Sequence, residues 1–385
     1  MESQKTVVIL GAGLVGRPMA LDLAKNQEFA VTVADISQNA LNSLGHHNEI
    51  KKIQLDLGNP SVIQELVKSY DYLINALPGS IGFNALKSMI RAGKPIVDIA
   101  FYPENPNDLN ELAIRSNSCV ICDMGVAPGM SHLLSGYSAS QLSKIHKLLI
   151  YVGGLPRKRQ LPWEYKAVFS PADVIEEYTR PARLVENGEI VWKEALSEAE
   201  LIDFETIGTL EAFNSDGLRT LTENIQADLM AEKTLRYPGH IDKIKLLKQM
   251  GFFETKPKLL NGKEIIPLDF TKKILFEDWE FLPGEEDLTV MRIIVEGLDM
   301  DNKTMKHQWN LLDHYDTASG IHSMARTTGY AATAALRLIH SGLFTQAGVH
   351  LPESIGKNET NVRFILNRLE ERNIFYEHKI STFGS

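Results

Sequence analysis

Cysteine is nearly absent: the 385 residues hold two, Cys119 and Cys122. A disulfide framework is thereby excluded. The pair reads Cys119-Val-Ile-Cys122 inside a strand pattern, so both are expected to be small core hydrophobes rather than a redox couple. No apolar run approaches the roughly 18 residues that span a bilayer, so no membrane partner is expected. Basic residues are outnumbered, 40 Lys and Arg against 49 Asp and Glu, which argues against nucleic acid as a partner. Metal-ligand spacing is missing. His46 and His47 are neighbours in a polar stretch and complete no set of the kind zinc needs. The first strand pattern starts a few residues after Met1, which leaves no space for a signal peptide; the expectation is a cytoplasmic protein.

What is present begins at Val7-Val-Ile-Leu-Gly-Ala-Gly-Leu-Val-Gly16. An apolar strand runs straight into Gly11-x-Gly13-x-x-Gly16. The first glycine serves a tight turn, the second lets backbone approach a pyrophosphate, and the third lets the next helix pack closely. Leu14 and Val15 sit in that turn, at a helix start whose N–H groups and dipole favour phosphate. A second strand, 30–34, ends at Asp35, about 20 residues beyond the last glycine. A carboxylate there accepts bonds from ribose hydroxyls and repels a 2′-phosphate. NAD is therefore expected, with NADP the alternative.

Further strand patterns at 6–10, 53–56, 72–75, 95–98 and 118–123 alternate with helical ones such as 61–68 and 83–91. Such alternation predicts a doubly wound parallel sheet, α/β in class. Ligands in these sheets lie beyond the carboxyl ends of the strands. Those ends carry Asp56, Ala76-Leu77-Pro78, Asp98, Ala100-Phe101 and Asp123. Beyond about residue 125 the texture becomes turn-rich and strand-like. Asn187-Gly188 and Asn261-Gly262 suit two-residue hairpins. An α+β domain with a mostly antiparallel sheet is expected there. The alanine-rich stretch 324–341 reads as a helix that returns to the first domain. The expected division is 1–124, 125–323 and 324–385.

Three clusters carry candidate chemistry. In Asp123-Met-Gly125-Val-Ala-Pro128-Gly129-Met-Ser-His132, two glycines and a proline fix a tight path at a strand end. Asp123 and His132 are candidate acid–base groups there. In Arg236-Tyr-Pro-Gly-His240, the arginine suits a carboxylate and His240 opens a helix. In Met324-Ala-Arg326-Thr327-Thr328, Arg326 and the Thr327 hydroxyl are candidates for a substrate carboxylate or the nicotinamide ribose. Trp163-Glu-Tyr165 through Phe169-Ser170 is a candidate aromatic wall, with Tyr165 its polar member.

These clusters, in this order behind the glycine fingerprint, resemble the saccharopine dehydrogenase family. Tyr151-Val-Gly-Gly-Leu-Pro156 and Leu134-Ser-Gly-Tyr-Ser-Ala-Ser-Gln-Leu142 add to the likeness, which spans nearly the whole chain. Within that family the pattern is most similar to lysine 6-dehydrogenases. The resemblance implies a Rossmann domain and a mixed substrate domain that builds a homodimer. It also implies an amino-acid substrate and NAD(P)-dependent oxidation of a lysine-like amine to the semialdehyde. Asp123, His132 and His240 would be candidate bases, and Arg236 or Arg326 would hold the α-carboxylate. Glutamate-forming saccharopine oxidation or a carboxylated polyamine dehydrogenase is the alternative within the class; a non-catalytic NAD-binding sensor is the alternative outside it.

Overall fold

A computed structural model describes residues 4–45, 49–167 and 171–383. The chain forms two compact units. The first takes in Met1–Gln141, Glu223–Ile225 and Ala325–Phe375; the second takes in Leu142–Thr222, Gln226–Met324 and Tyr376–Ser385.

The first unit is built on a seven-stranded parallel sheet. Its spatial order is Gly348–His350, Cys119–Ile121, Ile96–Asp98, Tyr72–Asn75, Thr6–Leu10, Ala30–Asp35 and Ile50–Gln54. Val7, Val8, Ile9 and Leu10 are all fully buried, as a parallel strand covered on both faces requires. The order reverses direction between Thr6–Leu10 and Tyr72–Asn75, which is where such sheets open a crevice for a ligand. The expectation of a doubly wound α/β sheet holds. Strand 53–56 is corrected to Ile50–Gln54: the Leu55 N–H makes the last bond, to the Asp35 carbonyl at 3.0 Å, and Asp56 then accepts the Gly58 N–H in a turn. Sequence reading missed Gly348–His350, because three residues are too few to show a period.

The C-terminal helix Ser323–His340 crosses Gly16–Ala24, the first helix of the sheet. Gly329 permits this: a Cβ there would lie 3.0 Å from Met19 Cγ and 3.3 Å from the Val15 carbonyl oxygen. A buried ion network locks the contact. Arg337 donates to Asp22 at 2.6 Å and pairs with Glu28, Arg372 donates to Asp22 at 2.6 Å, and the Thr333 hydroxyl adds a bond of 2.6 Å.

In the second unit a nine-stranded sheet runs Glu200–Phe204, Gly208–Asn214, Leu229–Arg236, Lys144–Pro156, Asp287–Leu298, Thr304–His314 and Tyr376–Phe383. The hairpin Ala182–Glu186 and Glu189–Lys193 joins it through Leu229–Arg236. Only the pairing of Leu229–Arg236 with Lys144–Pro156 is parallel among those described. Both Asn-Gly turns lie where expected, at the tips of Ala182–Lys193 and of Lys258–Ile265. Helices Pro171–Thr179, His240–Gln249 and Pro267–Trp279 enclose a core of Tyr165, Tyr178, Phe213, Ile241, Ile244 and Trp279.

The chain divides differently from 1–124, 125–323 and 324–385. Helix Met130–Ala139 stays with the first unit because it packs on Pro352–Gly356, where Gly136 and Gly356 leave no space for a Cβ. The tail does not end in helices. Tyr376–Phe383 pairs with Thr304–His314 along eight residues and belongs to the second unit. Its alternation of Tyr, His, Ile and Thr is a strand period that the preceding helix, Glu359–Glu370, obscures.

Candidate active site

The glycine turn shows what each glycine does. At Gly11 and Gly16 a Cβ would overlap backbone, the Ala76 carbonyl in one case and the Gly11 carbonyl in the other. At Gly13 nothing lies within 4 Å. Two glycines thus serve the chain's own packing, and the middle one leaves a backbone surface open for a ligand. Helix Gly16–Ala24 starts at Val15 with no side-chain cap, so its first N–H groups keep their capacity to bind an anion. Leu14 projects 56% exposed. Asp35 accepts the Ala12 N–H through Oδ2 and the Ser37 N–H through Oδ1, each at 2.7 Å, and so fixes the turn against the end of the second strand. These residues fit a dinucleotide: an uncapped helix start, an open glycine and a carboxylate at the ribose position.

Further along the strand ends, the Ala76 N–H donates to the Leu10 carbonyl, Leu77 is buried and Pro78 opens helix Gly79–Ile90. The helix lies directly on the next strand end, since a Cβ at Gly79 would overlap the Phe101 carbonyl and one at Gly82 would touch Ala100 Cβ. Asp98 is fully buried. It accepts the Tyr102 hydroxyl at 2.7 Å and the Ala100 N–H at 3.1 Å. Burial pushes its carboxyl up to about 7, the neighbouring Asp123 adds to the rise, and the bonds from Tyr102 and Ala100 oppose it. Asp98 therefore shapes the 98–102 turn that presents Ala100 and Phe101. Asp123 is 2% exposed with φ +54°, an uncommon conformation for an aspartate outside a turn.

The loop after Asp123 closes on itself. Gly125 donates to the Pro128 carbonyl at 3.0 Å, and Met130 and Ser131 donate back to Gly125 and Val126. Gly129 starts helix Met130–Ala139, where His132 is buried with Nδ1 2.9 Å from the Ser131 hydroxyl. Thr328 reaches this loop: a Cβ at Gly125 would lie 3.2 Å from Thr328 Cγ2. Arg326 and Thr327 are buried one turn into helix Ser323–His340, and Arg326 donates to the Arg372 carbonyl at 2.7 Å. The first and third sequence clusters are thus brought together within one unit.

The second unit gathers Tyr165, Arg236 and His240 into one buried set. Arg236 donates to Glu177 at 2.7 Å and to the Tyr178 hydroxyl at 3.2 Å, and its guanidinium lies 4.4 Å over the Tyr165 ring. His240 places Nε2 2.9 Å from the Tyr178 hydroxyl and Nδ1 2.9 Å from the Trp163 carbonyl. Burial pushes its imidazole down to about 3, and the Arg236 cation adds to the fall. His240 is accordingly neutral near pH 7. Trp163 donates to Asp278 at 3.0 Å. Phe169 and Ser170 of the expected wall lie outside the described residues, as do His46 and His47. Glu177 and Tyr178 were not foreseen. The signal was a helix carrying Glu-Glu-Tyr upstream of the arginine, which sequence spacing does not connect to it. Both cysteines are buried and form no disulfide. Among the described residues no group of three His, Cys, Asp or Glu side chains is arranged to hold a metal ion, and no helix is long and apolar enough to cross a membrane.

A parallel sheet with an open glycine turn, joined to a mixed-sheet unit with a buried arginine and aromatic set, defines an NAD(P)-binding oxidoreductase. Family models of the saccharopine dehydrogenase NADP binding domain and C-terminal domain match residues 7–121 and 125–374. The chain belongs to the saccharopine dehydrogenase family. A Schizosaccharomyces pombe relative, the NADP+-dependent, L-glutamate-forming saccharopine dehydrogenase, is 23% identical, with 91% of this chain and 94% of that one covered. Carboxyaminopropylagmatine dehydrogenase of a Synechocystis species is also 23% identical, with 89% and 91% covered. The apo L-Glu-forming saccharopine dehydrogenase of Saccharomyces cerevisiae shares the fold, with a TM-score of 0.81 at 21% identity over 98% of this chain and 100% of that one.

Proposed function

We propose that the chain oxidises the C–N bond of a lysine-like amine to an imine, which water then hydrolyses to the semialdehyde and ammonia. The observation that carries this reading is the buried Arg236, held over Tyr165 and bonded to Tyr178, in a unit joined to a dinucleotide turn. An arginine fixed in that way suits an amino-acid carboxylate. When bound, NAD(P)+ supplies the hydride acceptor. Gly13 and the helix start at Gly16 would hold its pyrophosphate, and Asp35 its ribose.

The chain's own residues meet a definite demand. An ammonium cannot push electrons toward a departing hydride, and a free lysine amine titrates near 10.4. A base must therefore take a proton from the substrate nitrogen. We assign that task to Asp123 or His132. His240 has both ring nitrogens engaged and instead positions Tyr178 beside Arg236. Asp35 is followed by Ile36-Ser-Gln-Asn39, with no cation to receive a 2′-phosphate, which supports NAD over NADP. A homodimer in the cytoplasm is part of the same reading.

The names of the yeast relatives favour a second substrate, saccharopine, whose oxidation would yield glutamate. Its extra carboxylates need more cations. Arg157 pairs with Glu286 and Arg159 donates to Glu164 at 2.8 Å, as Arg236 does to Glu177 at 2.7 Å, so pairing alone does not separate the two substrates. The deciding experiment incubates the enzyme with lysine or saccharopine and each dinucleotide, then assays products. Ammonia with NADH supports the first reading; glutamate overturns it in favour of the second.

A further inference from the structure

Strand Lys144–Pro156 leaves the sheet through a loop, and the Leu161-Pro-Trp163 stretch of that loop lies opposite the end of helix Pro267–Trp279. Between them is a cavity of about 250 Å³, wholly within the second unit. Its apolar wall is made by Leu161, Trp163, Leu282 and Pro162, which has no N–H to offer. Leu161 is 80% exposed and Leu282 62%. A single leucine on a surface needs no explanation, but two on one cavity mark a place for an apolar ligand. An apolar cavity of roughly 150 Å³ holds benzene, so this one has space for a ring and a short chain.

The charged residues of the lining decide what that chain carries. Lys166 donates to the Glu280 carbonyl at 2.7 Å and pairs with Glu285 at 3.4 Å. Glu277 pairs with Lys273 at 2.6 Å, and Asp278 accepts the Trp163 indole N–H at 3.0 Å. Lys158 has no such partner among the described residues. The uncommitted charge is therefore a cation, and an ammonium beside an apolar wall suits a carboxylate. Neither Arg236 nor His240 lines the cavity, so it is distinct from the place assigned above to the substrate carboxylate.

We propose that this cavity is a second ligand site, for a small monocarboxylate with an aromatic or branched apolar body. The carboxylate meets Lys158, and the body lies between Trp163 and Leu282 and removes both leucines from water. The site goes beyond the amine reading and does not rest on it.

The test is calorimetric titration of the full chain with phenylacetate, phenethylamine and acetate, as wild type, Lys158→Met, Lys158→Arg and Leu282→Ser. Wild type should bind phenylacetate about tenfold or more tighter than acetate, from the apolar area removed from water. It should bind phenylacetate about threefold or more tighter than phenethylamine, the worth of an exposed ion pair. Lys158→Met should erase the advantage over the amine, and Lys158→Arg should keep it. Leu282→Ser should narrow the advantage over acetate. A wild type that does not prefer the acid to the amine, or a preference that survives Lys158→Met, overturns the proposal. So does a wild type that binds no phenylacetate; if Leu282→Ser then alters sedimentation, the two leucines cover an interface between copies of the chain instead. Turnover enters none of these readouts, so failure of this site and failure of the amine reading are told apart.

Discussion

Gly13 and Gly16 differ by three positions, and replacing each with alanine should have opposite consequences. A Cβ at Gly16 would overlap the Gly11 carbonyl, so Gly16→Ala must push the first helix off the strand it packs against. Overpacking of this kind costs about 1–3 kcal/mol. At Gly13 nothing lies within 4 Å and φ is outside the left-handed region, so Gly13→Ala should leave folding stability within about 0.5 kcal/mol. The added methyl would instead stand where a pyrophosphate approaches the backbone. Loss of one charge-assisted hydrogen bond there is worth about 1.5–3 kcal/mol, or roughly ten- to a hundredfold in Kd. Urea unfolding measures the first effect, and titration of NAD+ and NADP+ by calorimetry measures the second. A Gly13→Ala protein that binds both dinucleotides as wild type does would refute the placement of the cofactor on this turn.

Arg236→Ala should raise the KM for the amine substrate at least tenfold, because it removes the buried cation assigned to the carboxylate; steady-state kinetics with an unchanged KM would take Arg236 out of the substrate site. His240 has a folded-state pKa near 3, below its unfolded value of about 6.5, so the unfolded chain binds a proton that the folded chain refuses between those values. Stability must therefore fall as pH drops from about 6.5 toward 3, and His240→Asn should flatten that limb by an amount on the order of a few kcal/mol in denaturant melts. An unaltered acid limb would mean that His240 is accessible to protons. Arg337→Met should destabilise the first unit by about 3 kcal/mol, because it leaves Glu28 and the buried Asp22 with one cation fewer; Arg372 still pairs with Asp22 and limits the loss. A melt unchanged from wild type would show that the network contributes nothing.

The fingerprint was legible because it is local: strand, turn and helix lie within 20 residues, and each glycine has its own steric reason. The loop Gly125–Gly129 was legible for the same cause, since its bonds run between neighbours. Asp98 was read as a cofactor contact; its burial and its bond to Tyr102 also make it the brace of the turn, a role that nothing in the spacing shows. The partners of Arg236 escaped because Glu177 and Tyr178 lie 59 and 58 positions away. Glu232 was not singled out in the sequence. Only its place in the centre of a strand covered on both faces shows it to be a buried one.

The central claim is hydride transfer from the carbon that bears the amine nitrogen. Lysine deuterated at that carbon, incubated with the enzyme and NAD+, should yield deuterated NADH together with ammonia. Reduced dinucleotide without the label, or no reduction at all with lysine, would contradict it.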